Sequence, residues 1–369
     1  MNVILLGAST RAAAMSVVRA GWTPWCADLY ADADLERIAT VRRVPLADYP
    51  KGLLDALAHL PAGPVVYTGA LENRPDLIAR IDRPVLGNPP EVLRAVRSPR
   101  RWAQTLQAAG LPCPAIAEKC TVGRWLLKPR KSAGGLDINV YSGQAFNPRT
   151  HFLQEHLDGV PCSAVYMGLD DDAILLGVTR QLIGTPWLHA TGFHYAGNIG
   201  PLPLDAAAGE HWRRIGSVLA QTFHLRGLFG VDAVEHDGVP WPVEINPRYT
   251  ASVELLERAF GQAFLPLHCR AFEPTNLPAS YPETSAKIVG KAILYARATL
   301  AFPERGPWLA ALDPGVDLDA IEYADIPQAG EVIEQGRPVL TLFASAATVS
   351  DCETMLQEKA DGLARCLWG

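Results

Sequence analysis

The sequence predicts an α/β domain followed by α+β regions, and three observations support this order. Residues 3–28 have the pattern of a buried strand, a glycine turn, a helix and a second strand, which is typical of a parallel βαβ unit. Prolines cluster between residues 84 and 99 and mark the exit from this domain. Later strands, such as those at residues 227–246, are joined by short turns, which indicates antiparallel pairs.

Length and composition are those of a multidomain globular protein. The chain has 369 residues, 49% of them hydrophobic and 20% charged, so two or three domains are expected. Its 33 basic and 39 acidic residues give a net charge of −6 without a block of Lys or Arg. This pattern argues against a nucleic-acid partner, and we expect small-molecule partners instead.

The cysteines and apolar runs predict a cytoplasmic protein without membrane association. Seven cysteines are scattered along the chain without a C-x-x-C pair, so neither a disulfide framework nor a zinc site is indicated. The N-terminal residues do not resemble a signal peptide. No apolar run approaches the roughly 18 residues that a membrane span needs.

Two positions near strand ends in the first domain have open interpretations. Gly7 either lets the backbone approach a ligand or only makes the turn after the first strand. Glu72 follows a predicted strand at residues 65–68. Since open parallel sheets bind ligands at the carboxyl ends of their strands, Glu72 is a candidate substrate contact. The alternative is a surface carboxylate that caps the next helix.

A lysine followed by a small-residue loop suggests a phosphate site. Lys128 lies near the end of an apolar strand at residues 125–129, and a Ser-Ala-Gly-Gly loop follows at residues 132–135. Flexible Gly and Ser backbone can turn its N–H groups toward phosphate oxygens, and a lysine adds a mobile positive charge. The alternative is an ordinary loop, since this combination of residues also occurs in loops without a ligand.

Residues 241–252 carry the most informative chemistry of the chain. On a strand, Glu244 and Asn246 project from one face, and Arg248 follows at the strand end. Asp232 lies on the preceding strand, so its carboxylate can approach Glu244 to about 5 Å across an antiparallel pair. Hard oxygen ligands beside a guanidinium suit Mg²⁺ that carries phosphate. The alternative is an exposed polar strand face.

The remaining segments have ordinary structural interpretations. The acidic triplet at residues 170–172 lacks the ligand spacing of a calcium site and is interpreted as a hairpin turn. The last third is predicted to contain a proline-rich joint, two strands and a closing helix, at residues 273–282, 286–295, 339–343 and 353–367. Gly330, Gly336 and the acidic turn residues between these two glycines suggest a hairpin.

These features, in this order, resemble the ATP-grasp superfamily of carboxylate–amine ligases. The resemblance is carried by residues between about 100 and 255. It implies a Rossmann-like first domain, an ATP clamp of two subdomains and a small β-rich C-terminal region that completes the ligase. We assign these domains to residues 1–97, 98–275 and 276–369. The resemblance also implies ATP and Mg²⁺ as cofactors.

The resemblance further implies roles for the matching residues. Asp232, Glu244 and Asn246 would hold Mg²⁺, and Arg248 would steady the transferred phosphoryl group. Lys128 would contact the α-phosphate and adenine, and Glu155 would accept a hydrogen bond from the adenine amino group. The full set of residues implied to bind ATP is Arg100, Lys128, Ser132, Gly134, Gly135, Gln154, Glu155 and Leu157.

Two departures from the superfamily pattern affect this assignment. Many members have a second nucleotide-binding lysine near residue 100, where this chain has Arg100 and Arg101. Either arginine could meet a phosphate. Many members also have a ribose-binding glutamate where this chain has Pro161 or Cys162, so the ribose contacts are left unassigned.

The resemblance implies a two-step ligation in which ATP phosphorylates a carboxylate and an amine then displaces phosphate to form an amide. Arg180 is predicted to line the acyl site and to act in catalysis. His194 is either a proton acceptor for the amine or a structural histidine. Ser9 and Arg11 are predicted to meet substrate carboxylates, because helix N-termini attract anions.

Three segments look more narrowly like the branch around tyramine–glutamate ligase of methanofuran biosynthesis, namely residues 7–14, 71–73 and 159–163. This suggests glutamate as the acid and a role in the biosynthesis of a methanofuran-like one-carbon cofactor. Residues 326–339 resemble the closing hairpin of biotin-carboxylase-like relatives, so a bicarbonate-activating enzyme is the alternative. A non-catalytic ATP sensor is a further alternative, and the oligomeric state is left open, with a homodimer as one option.

Overall fold

The computed structural model describes residues 1–119, 122–169, 171–272 and 287–369, which form four sheets and ten α-helices. The proline-rich joint predicted at residues 273–282 and Asp170 of the acidic triplet lie outside the described residues. Within the described ranges, no helix combines the length and the apolar character that a membrane span requires.

The first region is a four-stranded parallel sheet in the order β3-β2-β1-β4. Its elements are β1 (Asn2–Gly7), α1 (Arg11–Arg19), β2 (Thr23–Asp28), α2 (Ala33–Ile38), β3 (Thr40–Arg43), α3 (Gly52–Ala58), β4 (Val65–Tyr67), α4 (Pro75–Ile78) and α5 (Pro90–Val96). Ile4 of β1 is fully buried and pairs in parallel with Trp25 and Val65 on its two sides. The predicted βαβ unit is confirmed, because a buried apolar strand favours this central position.

The second region is a small antiparallel sheet that presents Lys128. Its elements are α6 (Pro99–Ala108), β5 (Ile116–Ala117), β6 (Trp125–Pro129), β7 (Asn139–Val140) and β8 (His151–Glu155), with the strands in the order β5-β8-β6-β7. Lys128 pairs with Phe152 in the β6–β8 register. Leu153 is fully buried, and its neighbours Phe152 and Gln154 are buried as well, so both faces of β8 are covered at its centre.

The third region is an eight-stranded antiparallel sheet in the order β13-β12-β9-β10-β11-β14-β18-β16. Its elements and those that surround it are β9 (Val160–Gly168), β10 (Ala173–Ile183), β11 (Tyr195–Gly200), α7 (Ala206–Phe223), β12 (Gly227–His236), β13 (Val239–Asn246), α8 (Ala251–Phe260), α9 (Leu265–Arg270), β14 (Ile288–Tyr295), β15 (Leu300–Ala301), β16 (Tyr323–Ala324), β17 (Val332–Ile333), β18 (Pro338–Ala346) and α10 (Val349–Trp368). The predicted C-terminal strands therefore extend the same sheet as the strands of the central region.

Helices cover the large sheet and fix the position of its polar strand ends. Trp212 of α7 is fully buried in the same apolar cluster as Tyr166 and Phe229, whose rings stack with centroids 4.9 Å apart. Each such side chain stabilises the fold by about 2–3 kcal/mol through burial. On another side, Val253 of α8 packs in one cluster with Val17 of α1. Helix α8 thereby joins the parallel sheet to the end of β13.

The turn between Gly330 and Gly336 differs from the predicted hairpin. Strand β17 pairs with β15, whereas β18 pairs with β14 and β16. The Gly336 N–H donates to the Ala296 carbonyl at 2.8 Å, and the Ala296 N–H donates to the Arg337 carbonyl at 2.9 Å. These bonds direct the chain into β18 beside β14 rather than back along β17.

Candidate active site

Two adjoining cavities lie where the three regions meet. The first has a volume of about 460 Å³ and is lined by Lys128, Asp232 and Glu244 among others. The second has a volume of about 700 Å³ and lies between the parallel sheet and the C-terminal strands. Arg248 lines both cavities, so the two spaces meet at the end of β13. This arrangement can hold two ligands side by side.

The carboxylates of Asp232 and Glu244 belong to directly paired residues on β12 and β13, as the sequence predicted. A register shift follows immediately between Asp232 and Ala233. Such a bulge bends the strand and redirects side chains next to it. Both carboxylates line the first cavity, so the alternative of a merely exposed strand face is wrong.

Asp232 is held by two amide side chains. Asn246 and Gln181 each donate a side-chain N–H to one of its carboxylate oxygens, at 3.0 Å in both cases. Burial raises the pKa of Asp232 to about 6, and the negative charge of Glu244 acts in the same direction. A cation between these carboxylates would relieve their repulsion.

Glu244 is balanced by an arginine that the sequence reasoning missed. Arg97 donates to Glu244 Oε1 at 2.7 Å. Burial alone would raise the pKa of Glu244, but Arg97 and Lys128 outweigh it and hold the pKa below its ordinary value. Glu244 Oε2 has no hydrogen-bond donor among the described residues, and the side chain lines the first cavity. Its free oxygen is therefore available to a ligand.

Arg100 does not reach the first cavity, which corrects the sequence-based expectation. Its side chain is 59% exposed and pairs with Glu118. Arg97 lies three residues earlier, at the C-terminal end of α5, and takes the position beside Glu244. Arg97 and Arg100 thus lie at the ends of two different helices, and position in the sequence alone did not indicate which of them reaches Glu244.

Lys128 and Gln154 link the small sheet to β13. Lys128 Nζ donates to Gln154 Oε1 at 3.0 Å, and Gln154 Nε2 donates to the Val243 carbonyl at 3.0 Å. Burial lowers the pKa of Lys128, although Glu244 and Asp232 partly oppose this. Both side chains line the first cavity. Gln154 therefore orients Lys128 toward the paired carboxylates.

The small-residue loop lines the first cavity through Ser132, Gly134 and Gly135. Gly135 has a positive φ of 76°, and a Cβ there would lie 1.8 Å from the Phe193 carbonyl oxygen. Only glycine fits this position. The Asn73 side chain donates to the Ser132 carbonyl at 3.1 Å. The loop is thus tied to both neighbouring regions while its backbone faces the cavity.

Glu155 and Leu157 also line the first cavity, on the side of the small sheet. Glu155 Oε2 accepts a hydrogen bond from the Ala115 N–H at 3.0 Å. Asp158 lines the same wall, but it is paired with Arg124 at the surface. The adenine role of Glu155 and the ribose contacts remain predictions.

Arg248 and Glu72 form a buried pair at the junction of the cavities. Arg248 Nη2 lies 2.8 Å from Glu72 Oε1, and Glu72 is 1% exposed. The interpretation of Glu72 as a surface cap is therefore wrong. Within the described residues, the buried atoms Glu72 Oε2, Arg248 Nε and Thr250 Oγ1 have no hydrogen-bond partner. Three unsatisfied polar atoms at one junction indicate a site for a polar ligand.

Arg180 and His194 line neither cavity, and for Arg180 this corrects the expectation. Arg180 Nη2 pairs with Glu353 of α10 at 2.5 Å, while its neighbour Gln181 lines the first cavity. Successive strand residues face opposite sides, so the predicted position was wrong by one residue. The His194 ring stacks on Tyr295 with centroids 5.7 Å apart, in agreement with the structural interpretation.

Ser9 lines the second cavity, whereas Arg11 is buried in an ion-pair network. Arg11 binds both carboxylate oxygens of Glu254 and also pairs with Asp325 and Asp34. Its donors are therefore occupied by the protein, and the expectation that it binds substrate is wrong. The network connects α1 with α8 and with the C-terminal sheet.

The residues present fit a divalent cation in the first cavity. Two carboxylates and one amide face the same space, beside a lysine. The described residues hold no group of three or more His, Cys, Asp or Glu side chains that could bind a metal alone. Mg²⁺ commonly takes only one or two carboxylates and completes its shell with water and phosphate oxygens, so this donor set suits a magnesium–nucleotide complex.

Comparisons with known proteins agree with this geometry. Residues 98–252 match the family model of the ATP-grasp domain. An uncharacterized protein of Methanocaldococcus jannaschii is 24% identical over 389 residues, covering 98% of this chain and 92% of its own.

Two solved structures share the architecture. L-amino acid ligase from Bacillus licheniformis superposes with a TM-score of 0.70 at 14% identity, over 98% of this chain and 97% of that one. The biotin carboxylase domain of Hydrogenobacter thermophilus 2-oxoglutarate carboxylase, in complex with MgADP, ADP and bicarbonate, superposes with a TM-score of 0.67 at 12% identity, over 93% and 86%. The chain therefore has the ATP-grasp fold, and its residues 98–252 match the ATP-grasp domain model.

Proposed function

We propose that the protein is an ATP-dependent ligase that joins a carboxylate to an amine through an acyl phosphate. The observation that carries the proposal is the pairing of Asp232 with Glu244 at the wall of a cavity that also contains Lys128 and the 132–135 loop. A second cavity opens beside it, with room for the acid and the amine. Phosphoryl transfer needs positioning and charge neutralisation more than a side-chain nucleophile.

In this proposal the first cavity binds ATP. Asp232, Glu244 and Asn246 would hold Mg²⁺, which neutralises phosphate charge when bound. Lys128 supplies a further positive charge, and the backbone N–H groups of residues 132–135 surround phosphate oxygens. Glu155 and the backbone near Leu157 line the space for the base.

Arg248 acts where the two cavities meet. Its ion pair with Glu72 fixes the guanidinium, and its position on both walls lets it contact a phosphoryl group that passes from ATP to a carboxylate. Gln181, rather than Arg180, lies on the cavity side of β10. The amine then attacks the acyl carbon, an amide bond forms and phosphate leaves with the bonding electron pair.

More specifically, we propose that glutamate is the acid and that the reaction belongs to the biosynthesis of a methanofuran-like cofactor. Their support is the resemblance of residues 7–14, 71–73 and 159–163 to the tyramine–glutamate ligase branch. A bicarbonate-activating reaction is the second candidate, favoured by the likeness to a biotin carboxylase domain with bicarbonate bound.

The test is incubation with ATP, Mg²⁺ and a library of amino acids and amines, followed by mass spectrometry and by measurement of ADP and phosphate. We expect an amide product, with ADP released only when both acid and amine are present. ADP release that depends on bicarbonate and needs no amine would favour the carboxylase. Nucleotide binding without turnover under any mixture would favour a sensor and contradict the proposal.

A further inference from the structure

The second cavity combines an apolar rim with a charged wall. Tyr30, Leu46 and Val332 line it and are 45%, 72% and 66% exposed. They come from the loop after β2, the loop after β3 and strand β17, so three distant segments place exposed apolar side chains around one opening. Exposed apolar groups that converge on a cavity are typical of a site for an apolar ligand.

Asp32 is a buried carboxylate without a partner in the wall of this cavity. It occupies the N-cap position of α2, yet its side chain makes no capping hydrogen bond. It is 8% exposed and lines the cavity, and no described residue donates to its carboxylate or forms an ion pair with it. Because this carboxylate lines the cavity and no protein donor occupies it, it is available to a ligand that binds there.

The neighbouring carboxylates differ from Asp32 because the protein satisfies them. Asp34 accepts from the backbone N–H groups of Asp325 and Ile326, at 3.0 and 2.9 Å. Asp325 accepts from Arg11 and from the Thr341 hydroxyl, at 2.9 and 2.5 Å. Asp32 is therefore the member of this group whose hydrogen-bonding capacity is left for a molecule in the cavity.

The charge around Asp32 favours a cation. The carboxylates of Asp28, Asp34 and Asp325 act on Asp32, and the guanidinium of Arg11 opposes them. The wall of the second cavity also carries three basic side chains beside its four carboxylates, namely Arg248, Lys291 and Arg337 beside Asp32, Asp325, Glu331 and Glu334. Burial and the charges of Asp325, Asp34 and Asp28 raise the pKa of Asp32 well above its ordinary value. A positive group in the cavity would offset this repulsion.

We propose that the amine substrate binds in the second cavity, with its ammonium group paired to Asp32 and its apolar body against Tyr30, Leu46 and Val332. This inference rests on the proposed function, because the amine is a substrate only if the protein is a ligase. The binding of the amine can be measured without turnover. The shared position of Arg248 on both cavities places such a ligand beside the space assigned to ATP. The ligand class is a primary amine on an apolar scaffold.

The experiment titrates the full chain with hexylamine and with 1-hexanol, its neutral counterpart, by isothermal titration calorimetry. We expect Asp32→Asn to weaken hexylamine binding at least tenfold and to change 1-hexanol binding less than twofold. Asp361→Asn, which removes an exposed carboxylate on α10, serves as the matched control and should bind hexylamine as the unsubstituted chain does. Equal hexylamine affinity with and without Asp32, or no hexylamine binding to the unsubstituted chain, would overturn the proposal.

Rim variants keep the test valid if Asp32→Asn does not fold. Leu46→Ser and Val332→Ser change exposed side chains and should weaken hexylamine binding more than propylamine binding. Equal losses for both amines would contradict the apolar contact. Failure of the two proposals is distinguishable: hexylamine binding through Asp32 without ligation would overturn only the ligase, and ligation insensitive to Asp32 would overturn only this inference.

Discussion

The two cavities are built in different ways, although they share Arg248. In the first, charges are already paired: Arg97 neutralises Glu244, and amide groups of Asn246 and Gln181 hold Asp232. In the second, Asp32 has no partner in the described part of the chain and exposed apolar side chains form the rim.

This difference separates a prearranged site from a site that its ligand completes. A cavity whose charged groups are held by protein partners can stabilise charge that develops during a reaction without reorganising. A buried carboxylate without a partner gains most when a complementary ligand arrives. The first cavity therefore fits the chemistry of phosphoryl transfer, and the second fits the selection of a substrate.

The largest expected effect is a loss of turnover when the first cavity is changed. Glu244→Gln should reduce turnover at least a thousandfold, because the amide cannot supply the negative charge that a magnesium–nucleotide complex needs, while changing the free energy of unfolding by less than about 1 kcal/mol. Glu235→Gln, on the paired strand β12 and outside both cavity walls, is the control and should keep normal turnover. Near-normal activity of Glu244→Gln would contradict the assignment of the first cavity to phosphoryl transfer.

The next effect concerns the network behind the second cavity. Arg11→Met removes the cation that pairs with Asp34 and Asp325 and leaves Glu254 with Lys291 alone, which should lower the free energy of unfolding by about 4 kcal/mol. Denaturant titration measures this value. The control is Arg213→Met, since Arg213 pairs with Glu210 at the surface of α7 and should change stability by less than about 0.5 kcal/mol. Equal effects of the two substitutions would show that the buried network contributes no more to the free energy of unfolding than a surface ion pair does.

The smallest effect is a pH dependence of stability at the joint between the parallel sheet and β12. His268 Nδ1 accepts from the Leu228 N–H at 2.8 Å, and its Nε2 lies 2.9 Å from the Leu86 carbonyl. Burial lowers the pKa of His268 to about 4, against an ordinary value of about 6.5. The unfolded chain thus binds this proton at higher pH than the folded chain does.

It follows that the contribution of His268 is complete above about pH 6.5 and is lost as the pH falls toward 4. The loss amounts to at most about 3 kcal/mol. Unfolding free energies measured between pH 4 and 7 should fall less steeply in His268→Gln than in the unsubstituted chain. Identical slopes would contradict this assignment. Because His268 lies outside both cavity walls, nucleotide affinity at pH 7 should change little in the folded variant.

Much of the fold and of the first cavity followed from local patterns. The alternation of side chains along a strand predicted that Glu244 and Asn246 share a face, and the short turn before β13 predicted the pairing with Asp232. The small-residue loop at residues 132–135 was recognisable from its composition, because flexible Gly and Ser backbone can turn its N–H groups toward phosphate oxygens. These features depend on residues that are close in sequence.

The rest depends on contacts between distant segments. Arg11 and Glu254 are separated by 243 positions, and nothing near either residue indicates that they pair. Asp32 and Val332 likewise meet at one cavity only after the C-terminal strands extend the large sheet. Arg180 was misplaced because an error of one position on a strand moves a side chain to the opposite face.

The most direct test of the account is a crystal structure with Mg²⁺ and a non-hydrolysable ATP analogue. We predict a metal at about 2.1 Å from a Glu244 oxygen, the triphosphate against the 132–135 loop, and its terminal phosphate beside Arg248. A triphosphate bound elsewhere, with no metal between Asp232 and Glu244, would contradict the central claim.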